Sequence, residues 1–104
     1  TQLLLQAYTE NKQFDVLSKK ATETIDLYPM QPQLYYYAGL GYNQLANFKK
    51  AKEFLEMGLD YLVDDIALEI NFNIQLGEAF AGLGDTKKKE TYFAKAEKLL
   101  KQKK

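Results

Sequence analysis

Residues 34–58 read LYYYAGLGYNQLANFKKAKEFLEMG, and this stretch decides the fold. Leu34, Ala38, Tyr42 and Leu45 recur at steps of four, four and three, the spacing of one helix face. Ala51, Phe54, Leu55 and Gly58 repeat that spacing after a break at Ala46-Asn47. Asn47 suits a helix N-cap, because its side-chain oxygen can accept an orphan backbone N–H. Small residues stand at Gly39, Ala51 and Gly58, where a large side chain would hold two helix backbones apart. The stretch reads as two helices in close contact around a short turn.

The same punctuation extends outward. Pro29 and Pro32 are the only prolines, and Pro is welcome in a helix only at its first turn. One helix is therefore expected to end near Tyr28 and the next to start near Pro32. Gly84-Asp85 combines a residue that tolerates positive φ with an N-cap. Val63-Asp64-Asp65 offers two further caps, and Asn11-Lys12 is a weaker break. Ile66, Ile70, Ile74, Gly77, Phe80 and Ala81 form another helical face, as do Phe93, Ala96, Leu99 and Leu100. No segment alternates at period two for long. The pattern predicts six helices, at roughly 1–10, 14–27, 33–46, 48–61, 66–83 and 86–101.

Six short-looped helices invite a search for internal repeats. Tyr8 precedes Phe14 by six residues, Tyr42 precedes Phe48 by six, and the two pairs lie 34 apart; Phe80 and Thr86 follow 38 further on. The second copy carries Tyr35, Ala38-Gly39, Tyr42, Leu45-Ala46-Asn47-Phe48, Ala51, Leu55 and Gly58. The third carries Leu76-Gly77, Phe80, Leu83-Gly84-Asp85, Phe93 and Ala96, and departs at Lys89, where a small residue is expected. The first carries Leu4, Tyr8, Phe14, Leu17, Ala21, Thr24 and Pro29, with Leu5 at the glycine place. In this order and phase the chain resembles the tetratricopeptide repeat family, whose unit runs Trp-x2-Leu-Gly-x2-Tyr, Ala-x3-Phe and Pro. The resemblance implies an all-α fold, a right-handed α-solenoid of three stacked antiparallel hairpins at approximately 1–31, 32–65 and 66–104. A plain six-helix bundle is the alternative. Tyr8, Tyr42 and Phe80 are expected between neighbouring hairpins. The four extra residues between copies two and three amount to about one helical turn. They are expected as an added N-terminal turn on the helix containing Ile66–Leu83, or else as a longer second hairpin.

Composition limits the chemistry. The 104 residues include no Cys and no His, so thiolate nucleophiles, disulfides and the commonest metal ligand and general base are missing. All 14 basic residues are Lys, which excludes an arginine clamp on phosphate. Gly39-Leu40-Gly41 and Gly82-Leu83-Gly84 lack the third glycine of a dinucleotide loop, and Gly84-Asp85-Thr86-Lys87 lacks P-loop spacing. Glu53 with Glu56, and Asp60 with Asp64, sit between apolar positions of amphipathic helices and read as solvated faces. Residues 53–69 carry six acids and no Lys, while residues 86–104 carry eight Lys against two Glu. Complementary neighbouring hairpins account for this asymmetry. Formal net charge is zero and the lysines are not interleaved with stackable aromatics, so nucleic acid is not expected. No apolar run reaches the roughly 18 residues of a membrane span, and no cofactor or metal is expected.

What remains is a non-enzymatic interaction module. The resemblance implies that the first helix of each hairpin lines a groove that grips a peptide. By phase, that lining is Gln2, Gln6 and Thr9, then Gln33, Tyr36, Tyr37, Leu40 and Asn43, then Asn71, Ile74, Gln75, Glu78 and Ala81. Tyr35 is expected inside, with Tyr36 and Tyr37 toward the groove. The family's clamp for a C-terminal carboxylate would fall on Gln2, Gln6, Tyr37, Asn71 and Gln75; none is charged, which argues against such a ligand. The competing reading is a structural or oligomerising segment of a longer array, or an accessory domain of a larger protein. Leu3-Leu4-Leu5 follows Thr1 with no N-cap, so the chain is expected to continue upstream and to self-associate through that hairpin. Lys87, Lys88, Lys95, Lys98, Lys101, Lys103 and Lys104 are expected to solvate the last helix as a C-terminal stop.

Overall fold

The computed structural model describes residues 2–103; Thr1, Lys104 and the side chain of Lys103 lie outside that description. Among the described residues there are six α-helices and no strand: α1 (Gln2–Glu10), α2 (Phe14–Leu27), α3 (Pro32–Gln44), α4 (Phe48–Leu59), α5 (Ile66–Gly82) and α6 (Thr86–Lys103). Pro32 opens α3 at its first turn, where no backbone N–H is needed. Asn47 Oδ1, Asp65 Oδ1 and Asp85 Oδ1 accept from Lys50, Leu68 and Lys88 N–H at 3.4, 2.9 and 3.1 Å. Gln13 precedes α2 with nearly the backbone angles of Asn47 but makes no side-chain cap bond.

Three of the turns are the same turn. Lys12, Ala46 and Gly84 each adopt positive φ, at 58°, 61° and 81°. Behind them, Gln13, Asn47 and Asp85 N–H donate to Tyr8, Tyr42 and Phe80 carbonyls at 2.9, 2.8 and 2.9 Å. Lys12, Ala46 and Gly84 N–H donate to Thr9, Asn43 and Ala81 carbonyls. This is the Schellman arrangement, which satisfies the last carbonyls of a helix and turns the chain back. It recurs at the offsets of 34 and 38 read from the sequence. The four-residue excess lies in α5, which has 17 residues where α3 has 13.

Consecutive helices pack on one another throughout. In addition the backbones of α1 and α3, and of α3 and α5, approach one another, whereas those of α2, α4 and α6 do not. The core runs through Leu5, Leu17, Leu34, Leu55, Phe72 and Leu76, with a Cα radius of gyration of 13.0 Å. Close approach explains the small residues. A Cβ on Gly39 would lie against Leu55, 2.9 Å from its Cδ1; one on Gly77 would lie 2.5 Å from Phe93 Cε1. The pairs Gly39–Leu55 and Gly77–Phe93 are 38 residues apart. In the first copy the sizes are reversed: Leu5 and Ala21 hold the two places, both wholly buried. The missing glycine at Leu5 is thus matched by a small residue opposite.

Tyr42 stacks on Phe54 and Phe80 on Tyr92, with centroids 5.6 and 5.4 Å apart, so each of these two rings has an aromatic partner within its own hairpin. Phe80 also meets the preceding hairpin, through Lys52 Nζ at 5.9 Å, as expected for a ring between hairpins. Phe72 of α5 also crosses to the second hairpin, lying against Gly58 of α4, where a Cβ would come within 2.7 Å of its ring. The expected pairing of the acidic and basic stretches needs correction: both ion pairs among the described residues, Lys52–Glu56 and Lys101–Glu97, are i,i+4 contacts within one helix.

Candidate peptide-binding face

The odd helices contribute the face. Along α3, Tyr36, Leu40 and Asn43 follow at steps of four and three and share a stripe; along α5, Asn71, Gln75 and Glu78 do the same. The two stripes are tied by a buried amide pair. Asn43 Nδ2 donates to the Gln75 backbone carbonyl and to Gln75 Oε1, both at 2.9 Å. Asn43 Oδ1 has no donor, although the residue is only 7 % exposed. Leu40, Asn43 and Gln75 are all buried and present little surface, and the Asn43–Gln75 pair forms a seam between α3 and α5.

Aromatic surface flanks this seam. Tyr36 and Tyr37 are half-buried, their rings 5.2 Å apart in an edge-on arrangement, and Tyr36 lies 6.3 Å from Phe72. Tyr35 faces the other way. It is buried, stacked 5.6 Å from Tyr61, and its hydroxyl donates to the Pro29 carbonyl at 2.6 Å. That hydroxyl fixes the turn entering α3 and leaves its two neighbours to the opposite side.

The charges felt here are negative. Burial pushes the Glu78 carboxyl above the ordinary carboxylate range. Burial raises the Tyr36 phenol first, and Tyr37 and Glu78 raise it further. Burial again leads for Tyr37, with Glu10 adding to it. Neither Glu10 nor Glu78 has a lysine within ion-pair distance among the described residues. Glu10 accepts a long 3.5 Å bond from Gln6.

The remaining expected lining residues spread more widely. Gln6 and Asn71 are exposed, and Ile74 is half-buried. Gln2 and Gln33 come together elsewhere, in a hollow with Thr24, Tyr28, Gln31 and Leu34. Thr9 is half-buried and returns its hydroxyl proton to the Leu5 carbonyl, while Ala81 is exposed near the end of α5. Sequence reasoning missed a hollow of about 380 Å³ where Leu59, Glu69 and Asn73 face Tyr92, Lys95 and Leu99. Its walls come from three helices and share no spacing signal. Among the described residues no three His, Cys, Asp or Glu side chains gather as metal ligands, and no helix is long and apolar enough to cross a membrane. Compared with known proteins, the chain matches no family model, no curated protein and no solved structure.

Proposed function

We propose that this chain is a non-enzymatic protein-interaction module, a right-handed solenoid of three stacked hairpins similar to tetratricopeptide repeats. It takes a peptide or protein segment on the face built from α1, α3 and α5. The observation that carries this reading is the ordered contact of α1 with α3 and α3 with α5, with the Tyr36–Tyr37 pair half-exposed among them. Tyr supplies large contact area at low conformational cost, and amides such as Gln6 and Asn71 can bond a peptide backbone without demanding charge. The test is selection from a random-peptide display library. Wild type should enrich peptides that a Tyr36→Ala, Tyr37→Ala double variant does not hold. A Tyr36→Leu, Tyr37→Leu variant keeps the apolar packing and separates lost binding from lost folding. The reading fails if all three proteins enrich the same peptides.

One observation favours the structural alternative. Leu3 is 82 % exposed and Leu4 42 %, although Leu5 beside them is wholly buried. An exposed apolar pair on one helix offers surface on which a second copy would pack. Concentration-dependent dimerisation in sedimentation, abolished by Leu3→Glu, would support self-association; a monomer at every concentration would exclude it.

A further inference from the structure

The second hairpin is filled by a run of rings. Tyr35 stacks 5.6 Å from Tyr61 and lies 6.5 Å from Phe54, which in turn stacks on Tyr42. Shifted by the 38 residues that separate Gly39 from Gly77, these four positions become Asn73, Leu99, Tyr92 and Phe80. The Phe80–Tyr92 stack repeats the Tyr42–Phe54 stack, so the two hairpins correspond here in space as well as in sequence. The other two rings do not recur: asparagine holds the place of Tyr35 and leucine that of Tyr61. Asn73, Tyr92 and Leu99 all line the hollow of about 380 Å³, with Leu59 of α4 beside them. No spacing within the three helices marks this hollow; comparison with the second hairpin does. It is the space that two aromatic side chains fill one repeat earlier, and it is large enough for a small molecule.

The polar groups of the hollow do not satisfy one another. Asn73 is only 4 % exposed; its Nδ2 donates to the Glu69 carbonyl at 2.9 Å, and its Oδ1 accepts from no donor among the described residues. Glu69 of α5 and Lys95 and Lys98 of α6 line the same hollow, yet no ion pair joins them: those of the described residues are Lys52–Glu56 and Lys101–Glu97. We infer that this hollow binds a small aromatic zwitterion of the α-amino acid class. The ligand's ring takes the place that Tyr35 fills in the second hairpin, beside Tyr92. Its carboxylate meets Lys95 and Lys98, and its ammonium meets the Glu69 carboxylate and Asn73 Oδ1. Ring stacking and charge-assisted hydrogen bonds supply the affinity. The hollow shares no residue with the candidate peptide-binding face, and the inference does not rest on that reading.

The test is a nitrogen–proton correlation NMR titration of the whole chain with L-phenylalanine, followed at the Asn73 side-chain amide and the Leu59 and Leu99 backbone amides. For so small a ligand the Kd is expected on the order of 1 mM. Three analogues each lack one element: N-acetylphenylalanine the ammonium, phenethylamine the carboxylate and glycine the ring. Each should bind about tenfold more weakly or worse, the loss expected when a charge-assisted hydrogen bond or a buried ring goes. Glu69→Gln should weaken phenylalanine about tenfold and leave N-acetylphenylalanine unchanged, a split that a structural role for Glu69 would not produce. Asn73→Tyr restores the ring from the chain itself and should abolish binding while keeping or raising the melting temperature. Equal binding of phenylalanine and N-acetylphenylalanine, or unchanged affinity in Glu69→Gln, overturns the inference whether or not the Asn73 variant folds. So does the absence of a saturable shift at these amides up to about 50 mM, far above the expected Kd.

Discussion

Of the four residues at positive φ, Lys12, Ala46 and Gly84 occupy one structural position with three different amino acids, and they make a clean measurement possible. Lys12 and Ala46 carry a side chain in the left-handed region, which costs a residue with a Cβ about 1 kcal/mol or more; Gly84 does not. A Cβ added at Gly84 meets nothing within 4 Å, so backbone conformation is the whole effect there. Gly84→Ala should therefore destabilise by about 1 kcal/mol and Ala46→Gly should stabilise by a similar amount, read from denaturant midpoints at unchanged m-value. Opposite signs are the requirement; a loss in both would mean that packing, not φ, governs the turn. Glu78 gives a second test at this scale. The folded chain holds the Glu78 proton more tightly than the unfolded chain does, because burial disfavours the charged form. Its ionisation thus costs stability, and the cost is absent below about pH 4 and grows as the pH rises through the raised value. Glu78→Gln should raise the melting temperature at pH 7 and leave it unchanged near pH 3. A variant less stable than wild type at pH 7 would show that the carboxylate is held by favourable contacts.

At the scale of the helix pair, the size relation across the hairpin is the governing feature. Gly39 faces Leu55, Gly77 faces Phe93, and Leu5 and Ala21 hold the corresponding places with sizes exchanged. Gly39→Leu alone should cost about 1–3 kcal/mol, the usual cost of overpacking. Adding Leu55→Ala recreates the Leu5 and Ala21 combination, so the double variant should be more stable than Gly39→Leu. In a denaturation cycle the coupling should be large and favourable; strict additivity would mean that the two positions do not share a contact. Such reciprocity was only half legible in the sequence. The helices themselves were readable to within two residues, because Pro32, Asn47, Asp65 and Asp85 stop or start them by mechanisms that need no tertiary partner. The added turn in α5 was readable from the spacing alone. The partners of Tyr42 and Phe80 were not, since a helical period says which face a ring occupies and not which of two flanking helices it meets. The candidate face divided in the same way. Tyr36 and Tyr37 are half-exposed as the phase implies, but Leu40, Asn43 and Gln75 on neighbouring phases are buried, and neutral amides carry no sequence mark that separates a seam from a surface.

Over the whole molecule, stability is expected to be uneven. Helix α3 is held by α1, α2, α4 and α5, and α5 by α3, α4 and α6, whereas α1 meets only α2 and α3. Burial follows the same gradient: Leu5 is the one buried residue of α1, while α3 buries seven residues and α5 nine. If the hairpins form a stack in which each unit is stabilised mainly by its neighbours, the terminal helices α1 and α6, each with one buried residue among those described, open before the central ones. Native-state hydrogen exchange should then find α1 amides exchanging through an opening well below the global unfolding free energy. The amides of α3 and α5 should require something close to global unfolding. The substitution Leu5→Ala, which removes the buried anchor of α1, should lower protection in α1 strongly and in α5 little. Uniform protection across all six helices, or an equal loss in α5, would instead describe a single cooperative bundle, and the plain six-helix alternative would then replace the stacked reading.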